Sequence, residues 1–424
     1  MKTVIMAGGR GTRIASVNSD VPKPMIPILG RPILEWQIRC LARQELTDVI
    51  LVVGYLGQII RDYFGDGSRF GVSIRYVTEE EPLGTAGALY LLKEELAEGD
   101  FLLLCGDIIF DVDLARFAAY HREKGALATL LTHPNSHPYD SGIIVADENG
   151  RVTNWLHKEE ERLWYRNRVN AGIHLLSPRI LEGFTTLKKT DLDREVLKPL
   201  IPTGGLYAYD SPEYVKDMGT PDRFYAVAED MKSGKVEAKN LSRYQRAIFL
   251  DRDGTINRYV GFLRSPDDFA LLPGAAEAVK RINESGYLAI VVTNQPVIAR
   301  GEVTREELEV IHEKMETLLG AEGAYLDAVY YCPHHPDRGF EGEVPELKID
   351  CDCRKPKPGL LLRAAQDFHI DLSASWMIGD GENDIAAGLA AGCHTARIGV
   401  RGEAEIAGDS LLSCVKQILG RQEK

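Results

Sequence analysis

The feature that most constrains this chain is an apolar run in mid-chain that ends in two aspartates and a glycine. Residues 248–255 read Ile-Phe-Leu-Asp-Arg-Asp-Gly-Thr, a pattern that predicts a buried strand delivering Asp251 and Asp253 into a tight turn. Two carboxylates this close repel each other unless a cation lies between them. An isolated Asp-Gly pair is typical of a hairpin turn, but the apolar strand and the later motifs favour a cation site that opens a second domain.

The size and charge of the chain indicate its number of domains and the classes of partner that it can bind. Its 424 residues exceed what one hydrophobic core serves, so we expect two domains joined near residue 240. A net charge of −13 opposes binding to nucleic acid, whose phosphates demand a basic surface. No apolar run reaches membrane-spanning length and the N-terminus does not read as a signal peptide. We therefore expect no membrane contact, a cytoplasmic protein and seven reduced cysteines.

The first half opens on a predicted strand followed by a glycine loop. Residues 3–6 are apolar, and residues 7–13 read Ala-Gly-Gly-Arg-Gly-Thr-Arg. Glycines let backbone N–H groups approach a phosphate closely, although the loop is neither a Walker A loop nor a dinucleotide-binding turn. By itself it is also typical of a plain turn. Lys23, which stands between two prolines, adds a cation that an anionic ligand would use.

Alternating strand and helix patterns follow, and they predict a mainly parallel sheet. Residues 81–88 open a predicted helix with small residues. This suits either exposed N-terminal amides that face a ligand or close helix packing. Asp107 ends an apolar strand at the sheet edge where ligands bind in α/β folds. Asp217 precedes a helix start and would complete an oxygen site for Mg²⁺.

Six motifs of the first half, in this order, resemble the sugar-1-phosphate nucleotidyltransferases over residues 1–235. They are Gly-Gly-x-Gly-Thr-Arg, Pro-Lys-Pro, Leu-Gly-Thr-Ala-Gly, Gly-Asp, Asn-Ala-Gly-Ile at residues 170–173, and Asp-Met-Gly-Thr-Pro. In that family a sugar-phosphate oxygen attacks the α-phosphorus of a nucleoside triphosphate in line. The enzyme mainly positions groups and neutralises charge, so no protein nucleophile is required.

The resemblance implies roles for particular residues. The nucleotide would lie against Ala7, Gly8, Gly9, Gly11 and Thr12, with its base bordered by Gly84, Thr85 and Ala86. The catalytic cations would be Arg13 and Lys23, the ligands of Mg²⁺ would be Asp107 and Asp217, and the sugar phosphate would face Lys158, Asn170 and Gly172. His157 stands where relatives often carry Glu, which bears on sugar recognition.

Two further predicted strands of the second half end in polar side chains. Residues 288–292 form an apolar run that ends in Thr293 and Asn294. Residues 376–379 form another that ends in Asp380, with Asp384 one turn on in the next helix. Lys355 lies in Arg-Lys-Pro-Lys-Pro-Gly ahead of a helix. Taken singly, each of these is also typical of a cap or a solvated surface group.

Together with Asp-x-Asp-Gly-Thr, these groups resemble the four motifs of haloacid-dehalogenase-type phosphatases over residues 246–424. The resemblance implies that Asp251 is a nucleophile that forms an aspartyl phosphate, while Asp253 protonates the leaving alkoxide and then activates water. It further implies that the phosphate is held by Thr293, Asn294 and Lys355, and Mg²⁺ by Asp251, Asp253, Asp380 and Asp384.

Cysteines and histidines form a third constellation. Cys332-Pro-His334-His is followed by Cys351-Asp-Cys353, and thiolates with imidazole at short paired spacings suit a closed tetrahedral Zn²⁺ site that pins a loop. His334 is preferred over His335 because Cys-x-His places both side chains on one side of an extended loop. Free buried cysteines are the alternative.

The zinc loop with Cys-x-Cys-Arg-Lys-Pro-Lys-Pro-Gly resembles a narrower group, the D-glycero-D-manno-heptose 1,7-bisphosphate phosphatases and the related histidinol-phosphate phosphatases. It implies that Arg354 binds the remote phosphate of a bisphosphate by bidentate hydrogen bonds, and that Arg300 also contacts the substrate. Pro296 and Val297 replace the Ser-Gly commonly found there, which bears on contacts to the leaving group.

These observations predict an α/β protein of two domains, each a mainly parallel sheet flanked by helices. The domains are residues 1–235 and 246–424, with a linker at residues 236–245 and a zinc-binding loop at residues 332–353. The second domain is expected to remove the 7-phosphate of D-glycero-D-manno-heptose 1,7-bisphosphate. The first is expected to transfer a nucleotidyl group, with GTP favoured, to the heptose 1-phosphate for a surface glycan, releasing pyrophosphate.

Alternatives stay open at this point. One is a mannose- or glucose-1-phosphate nucleotidyltransferase fused to a phosphatase of another sugar phosphate or of histidinol phosphate. Another is a chain in which one half is a non-catalytic regulatory module. A homo-oligomer is compatible with the sequence.

Overall fold

The computed structural model describes residues 1–9 and 20–421, and the chain falls into two compact units. Unit 1 consists of Met1–His133, Ile144–Trp155 and Asn170–Asn240, and unit 2 of Pro134–Ile143, Leu156–Val169 and Leu241–Lys424. Two short segments of the first half of the sequence therefore belong to unit 2. The domain limits expected from the sequence stay a prediction. None of the described helices has the length and apolar character needed to cross a membrane.

Unit 1 is built on a mixed sheet with two small ribbons beside it. The described strands are β1 (Thr3–Met6), β2 (Pro27–Ile28), β3 (Arg31–Pro32), β4 (Asp48–Val53), β5 (Ser73–Thr78), β6 (Phe101–Cys105), β7 (Ile108–Asp111), β8 (Ala128–His133), β9 (Ile143–Ala146), β10 (Val152–Leu156), β11 (Val169–Leu176), β12 (Leu206–Asp210) and β13 (Tyr214–Asp217). The main sheet has the order β10-β9-β11-β6-β1-β4-β5, and β8 pairs with both β11 and β12. Strands β1, β4, β5 and β6 run parallel, whereas β11 is antiparallel to β6 and β9.

Helices cover this sheet. They are α1 (Ile33–Arg43), α2 (Gly57–Phe64), α3 (Leu114–Lys124), α4 (Pro221–Lys232) and α5 (Lys235–Ala238), with short 3₁₀ turns at Lys23–Met25, Ser68–Phe70, Gly87–Leu92, Pro178–Gly183 and Lys198–Thr203 and a π turn at Leu192–Leu197. The central strand β1 is buried on both faces, because Val4 and Ile5 point into separate hydrophobic clusters. This explains why its sequence is continuously apolar rather than alternating.

Unit 2 contains a sheet whose paired strands all run parallel. Its strands are β14 (Ala247–Leu250), β15 (Leu288–Asn294), β16 (Ala328–Cys332), β17 (Trp376–Gly379), β18 (His394–Ile398) and β19 (Ile406–Gly408), in the order β16-β15-β14-β17-β18-β19. Its helices are α6 (Ala275–Glu284), α7 (Arg305–Ala321), α8 (Gly359–Phe368), α9 (Glu382–Ala391) and α10 (Leu411–Leu419), with 3₁₀ turns at Pro138–Asp140, Pro266–Asp268, Pro345–Leu347 and Leu372–Ala374.

Strand β14 lies in the middle of this sheet, between β15 and β17. Ile248 and Leu250 pack into one hydrophobic cluster and Phe249 into another. The carboxyl ends of three neighbouring parallel strands therefore meet at one edge, which brings together the side chains that follow them. The predicted α/β class with mainly parallel sheets is confirmed.

The segment predicted as a linker, residues 236–245, is partly buried. Helix α5 occupies its beginning, and Leu241 and Gln245 are buried. Within unit 2 the N–H of Gln245 donates to the carbonyl of His369, and the N–H of Asp371 donates to the carbonyl of Gln245. Backbone pairing therefore holds the end of residues 236–245 in place, and their assignment as a linker stays a prediction.

Candidate functional site

A buried lysine joins two carboxylates at the carboxyl edge of the unit 2 sheet. Lys355 Nζ donates to Asp251 Oδ1 and to Asp384 Oδ1, both at 2.6 Å. Carboxylate oxygens of Asp251, Asp380 and Asp384 lie within 4.8 Å of one another. Gly254, at φ +84°, lies so close to the Asp380 carboxylate that a β-carbon there would overlap it. Only glycine suits this position, since the backbone is left-handed and the space is filled.

The charges of this cluster favour a bound cation. Burial raises the pKa of Asp251, with Lys355 opposing, and burial together with Asp384 raises the pKa of Asp380. One ammonium thus faces three carboxylates in a site of low polarity. A set of carboxylate oxygens this close suits a hard cation such as Mg²⁺. The residues present therefore fit the predicted metal, whose side-chain ligands would be Asp251, Asp380 and Asp384.

Asp253 is held by three neighbours. Asn257 Nδ2 donates to its Oδ1 at 3.0 Å, while Arg252 and Gln295 donate to its Oδ2 at 2.7 and 2.9 Å. Burial opposes ionisation, but the charge of Arg252 and these hydrogen bonds outweigh it and hold the pKa of Asp253 below its ordinary value. The sequence indicated neither Arg252 nor Gln295, because each lies at an unspecified position of its motif.

The end of β15 supplies a hydroxyl and an amide. Thr293 is buried, and its Oγ1 accepts a hydrogen bond from Gln295 Nε2 at 2.9 Å. The side chain of Asn294 exchanges two hydrogen bonds of 3.0 Å with the backbone of Lys355. Asn294 thus anchors the loop that carries the lysine, a role that the sequence did not indicate. Its predicted substrate contact stays a prediction.

The four predicted zinc ligands lie together. Ligand atoms of Cys332, His334, Cys351 and Cys353 are within 4.8 Å of one another. The sulfurs are 3.2 to 3.5 Å apart, too far for a disulfide bond. His335 lies outside this group, and its Nδ1 accepts a hydrogen bond from the N–H of Asp337. Three thiols and one imidazole suit a tetrahedral Zn²⁺ site, so the residues present fit that metal.

Two predicted substrate arginines flank the zinc loop. Arg354 donates to the backbone carbonyl of His334 at 3.3 Å. The guanidinium of Arg300 lies between the rings of Phe262 and Phe340, 4.2 and 4.3 Å from their centroids. Such stacking fixes the guanidinium in place before any ligand binds. Their contact with a substrate stays a prediction.

In unit 1 the two predicted metal ligands lie on adjacent backbone. Strands β7 and β13 pair so that Asp217 faces Ile108, and the N–H of Met218 donates to the carbonyl of Asp107. Lys23 Nζ contacts Asp107 Oδ2. Arg223 donates to both carboxylate oxygens of Asp217, at 3.0 and 2.8 Å.

Arg223 was not found from the sequence, although it lies in the first turn of the helix that follows Asp217. Burial opposes ionisation of Asp217, and Arg223 outweighs it and lowers the pKa of that carboxyl. The oxygen donors suit Mg²⁺, with each carboxylate also in contact with a cationic side chain.

The glycine loop is described only in part. Ala7 is buried and its N–H donates to the carbonyl of Val52, while Gly11, Thr12 and Arg13 lie outside the described residues. A β-carbon at Gly8 would overlap Glu79 Oε2. Glu79 Oε1 is buried and has no hydrogen-bond partner among the residues that the structure describes. No sequence motif had indicated this carboxylate.

The prediction of a helix with exposed amides at residues 81–88 is wrong. A 3₁₀ turn begins only at Gly87, and the N–H groups of Thr85 and Ala86 both donate to the carbonyl of Thr190. A β-carbon at Gly87 would overlap the carbonyl of Lys188. Close packing, the alternative interpretation, therefore explains the small residues. Gly84, at φ +80°, and Thr85 stay exposed, whereas Ala86 is buried.

The predicted sugar-phosphate residues divide between the two units. In unit 1, Asn170 Oδ1 accepts a hydrogen bond from the N–H of Gly172 at 3.1 Å, and its Nδ2 donates to Asp193 Oδ1 at 3.4 Å. Lys158 is exposed and belongs to the segment Leu156–Val169 of unit 2. Burial raises the pKa of Asp193 to about 6. The sequence did not indicate Asp193.

Comparison with known families assigns both parts of the chain. The nucleotidyl transferase family matches residues 2–234, more than half of the chain, and the haloacid dehalogenase-like hydrolases match residues 231–392. The chain belongs to the nucleotidyl transferase family in its first part and to the haloacid dehalogenase-like hydrolases in its second. Both resemblances predicted from the sequence are confirmed.

Individual relatives narrow these classes. The second part is 42% identical over 186 residues to D-glycero-beta-D-manno-heptose-1,7-bisphosphate 7-phosphatase of Escherichia coli, which covers 42% of this chain and 95% of that protein. The first part is 32% identical over 253 residues to mannose-1-phosphate guanylyltransferase of Mycobacterium tuberculosis, covering 59% of this chain and 70% of that protein. It is also 32% identical over 242 residues to UTP–glucose-1-phosphate uridylyltransferase of Synechocystis, covering 54% of this chain. The chain spans 62% of that relative's length.

Proposed function

We propose that unit 2 removes the 7-phosphate of D-glycero-D-manno-heptose 1,7-bisphosphate and that unit 1 couples the heptose 1-phosphate to GTP, releasing pyrophosphate. The observation that carries the phosphatase assignment is the cluster of Asp251, Lys355, Asp384 and Asp380, with Asp253 two residues from Asp251. The name of the Escherichia coli relative, which aligns over 95% of its length, supports the substrate.

The hydrolysis proceeds in two balanced steps. An oxygen of Asp251 bonds to phosphorus while the bond from phosphorus to the sugar oxygen breaks. Because its neighbours hold the pKa of Asp253 low, Asp253 must first take a proton from solvent, and it then gives that proton to the departing sugar oxygen. Asp253 then takes a proton from the water that attacks the aspartyl phosphate, which frees phosphate and restores Asp251. Lys355 and Thr293 bind the phosphoryl oxygens. When bound by Asp251, Asp380 and Asp384, Mg²⁺ would neutralise the charge of the phosphate.

In unit 1 the phosphate oxygen of the sugar bonds to the α-phosphorus as the bond to pyrophosphate breaks. Lys23 lies close to Asp107, and we assign it, together with Arg13, the task of neutralising the triphosphate. Asp107 and Asp217 would hold Mg²⁺ in this unit, and Cys332, His334, Cys351 and Cys353 would hold Zn²⁺ in the other. We place the protein in the cytoplasm, in keeping with its free cysteines.

The choice of GTP rests on Glu79. Its carboxylate lies against Gly8, and one oxygen is buried without a hydrogen-bond partner among the described residues. Burial raises the pKa of Glu79, and when ionised this carboxylate only accepts hydrogen bonds. Guanine presents two adjacent donors on its Watson–Crick edge, whereas adenine, cytosine and uracil each place an acceptor beside a donor. A carboxylate in this place therefore favours guanine.

The base assignment is tested by Glu79→Gln, with the exposed neighbour Glu81→Gln as the matched control. Because an amide offers one donor and one acceptor, we expect E79Q to lower kcat/KM for GTP by about 10²-fold and to narrow the preference for GTP over ATP. E81Q should keep the kcat/KM of the parent chain for GTP and its preference for GTP over ATP. An unchanged ratio of GTP to ATP in E79Q would remove Glu79 from base recognition.

The substrates are tested by two product assays. Phosphate release is measured with both anomers of the heptose 1,7-bisphosphate and with histidinol phosphate. Pyrophosphate release is measured with heptose, mannose and glucose 1-phosphates and each nucleoside triphosphate. We expect the heptose compounds and GTP to give the highest kcat/KM. Faster turnover of histidinol phosphate or of mannose 1-phosphate would contradict the proposal.

A further inference from the structure

Arg252, the residue between the two motif aspartates, is completely buried. Its side chain is 0% exposed, and a guanidinium in that position needs partners for its charge. One terminal nitrogen donates to Asp253 Oδ2 at 2.7 Å and to Gln295 Oε1 at 2.9 Å. The side chain therefore folds back onto the carboxylate of its own neighbour instead of reaching solvent.

The other terminal nitrogen of Arg252 is fixed by helix α7. It donates to Nε2 of His312, itself 0% exposed, at 3.3 Å. His312 Nδ1 lies 3.8 Å from the carboxylate of Glu309, and Glu309 contacts Arg166 of the segment Leu156–Val169. The guanidinium is thus held at both ends, by a strand end on one side and by a helix on the other.

These contacts leave Asp253 a single orientation. Its Oδ2 receives hydrogen bonds from Arg252 and Gln295, and its Oδ1 receives one from Asn257. A carboxyl group that is free to rotate spends only part of its time aimed at the leaving oxygen, and catalysis by proton transfer falls steeply with misplacement. Arg252 makes the shortest of the three contacts to this carboxylate.

We propose that Arg252 is the positioning residue of the phosphatase site: it holds Asp253 in the orientation from which its proton passes to the departing sugar oxygen. This inference rests on the proposed phosphatase function. It assigns no contact between Arg252 and the substrate. His312 acts one step further out, because it fixes the guanidinium.

The test compares two leaving groups in Arg252→Met. A sugar alkoxide needs a proton as it leaves, whereas 4-nitrophenolate does not, and kcat/KM reports the steps up to that departure. In R252M we expect kcat/KM to fall about 10²-fold with heptose 1,7-bisphosphate and less than about 3-fold with 4-nitrophenyl phosphate. KM for the bisphosphate should change little. An equal loss with both substrates would overturn the positioning role.

Two further variants make the result decisive. His312→Phe keeps an aromatic ring but removes the nitrogen that accepts the hydrogen bond from Arg252. It should show the same dependence on the leaving group, with a smaller loss of kcat/KM. This variant tests the proposal if R252M fails to fold. Arg281→Met on α6 is the control, because its guanidinium pairs with the exposed Glu277 one turn away, and it should match the parent chain. Phosphate release by Asp251→Asn would contradict the proposed phosphatase function. Equal losses of kcat/KM with both substrates in R252M would contradict only the positioning role of Arg252.

Discussion

At the scale of single residues, the phosphatase site depends on charges that burial would otherwise suppress. Lys355 is buried between Asp251 and Asp384, and each of its two hydrogen bonds is 2.6 Å long. A buried charge is tolerated only when it is paired. Burial raises the pKa of Asp251, and the charge of the lysine opposes that rise. As the proposed nucleophile, Asp251 must be ionised to attack phosphorus.

The first prediction concerns Asp251→Asn. An amide cannot form the aspartyl phosphate, so we expect phosphate release to fall at least 10³-fold, while nucleotidyl transfer to heptose 1-phosphate is unchanged. Asp352→Asn, at a carboxylate that is 99% exposed, serves as the control and should keep both activities. Phosphate release is measured at saturating substrate. Retention of phosphatase activity in D251N would contradict the assignment of the nucleophile.

A second prediction concerns Asp193, whose pKa burial raises to about 6 from an ordinary value of 3.8. The folded state then binds this proton more tightly than the unfolded state does, so stability falls as the pH rises from about 4 to about 6 and is constant above. Asp193→Asn has no proton to lose. We expect its free energy of unfolding to match the parent near pH 4 and to exceed it by up to about 3 kcal/mol at pH 7.5.

The Asp193 prediction is measured by urea unfolding at the two pH values. The matched control is Asp48→Asn at the exposed first residue of β4 in the same unit, which should leave the difference between the two pH values unchanged. If D193N raised the free energy of unfolding equally at both pH values, ionisation of Asp193 would not be the cause of the increase.

The sequence indicated the functional residues that follow strands, but not the residues that position them by hydrogen bonds. Asp251, Thr293 and Asp380 follow apolar runs, and the geometry of a parallel sheet places such residues at one edge. Arg252 and Gln295 occupy positions that no periodic pattern distinguishes. Their hydrogen bonds to Asp253 depend on how two loops fold over the sheet edge, which is a tertiary property.

At the scale of secondary-structure elements, a segment from the first half of the sequence is built into unit 2. In Leu156–Val169, Arg166 Nε donates to Glu316 Oε1 at 2.5 Å and the N–H of Asn167 donates to Glu316 Oε2 at 2.8 Å. Glu316 lies on α7 and is only 1% exposed. The segment thus supplies the donors for a carboxylate that would otherwise be buried without compensation.

A third prediction follows for Arg166→Met. Removing one partner of a buried ion pair leaves the other charge uncompensated, so we expect the free energy of unfolding of unit 2 to fall by about 3 kcal/mol. The double variant with Glu316→Gln should lose less than the sum of the two single losses. Urea unfolding measures all three variants. Strictly additive losses would mean that Arg166 and Glu316 do not stabilise each other.

The loop at residues 332–353 gives a fourth prediction. With three thiols and one imidazole gathered within 4.8 Å, we expect one zinc ion per parent chain by atomic absorption. Cys351→Ser should lose that zinc and lower phosphatase activity at least about 10-fold, because a closed structural site stabilises its loop. Nucleotidyl transfer should be unchanged.

The control for the zinc prediction is His335→Ala, which removes the histidine next to the proposed ligand. His335 lies outside the cluster and accepts a hydrogen bond from Asp337, so H335A should keep both its zinc and its activity. A zinc content of zero in the parent chain, or equal zinc in C351S and the parent, would contradict the structural zinc site.

At this scale the sequence predicted strands better than it predicted connections. The strand at β14 and its neighbours follow from apolar runs of strand length, because each must be buried on both faces of a sheet. The helix predicted to open at residues 81–88 begins only at Gly87 and is a 3₁₀ turn, since the amides of Thr85 and Ala86 donate to the carbonyl of Thr190. The assignment of Leu156–Val169 to unit 2 depends on contacts distant in sequence, which local patterns do not encode.

At the scale of the whole molecule, the two proposed activities would make the chain a two-step catalyst. Each unit has its own sheet and hydrophobic clusters. In the proposed sequence of reactions, the product of unit 2 is the sugar substrate of unit 1. The two activities then depend on separate residues, so each can be removed without the other.

The most direct measurement of this claim incubates the purified chain with D-glycero-D-manno-heptose 1,7-bisphosphate, GTP and Mg²⁺ and follows the products by phosphorus NMR. We predict GDP-heptose, phosphate and pyrophosphate in equal amounts. We also predict that Asp251→Asn forms none of these products from the bisphosphate, yet forms GDP-heptose and pyrophosphate from the heptose 1-phosphate. A nucleotide sugar made from the bisphosphate by D251N, or none made by the parent chain from either substrate, would contradict the proposed pair of reactions.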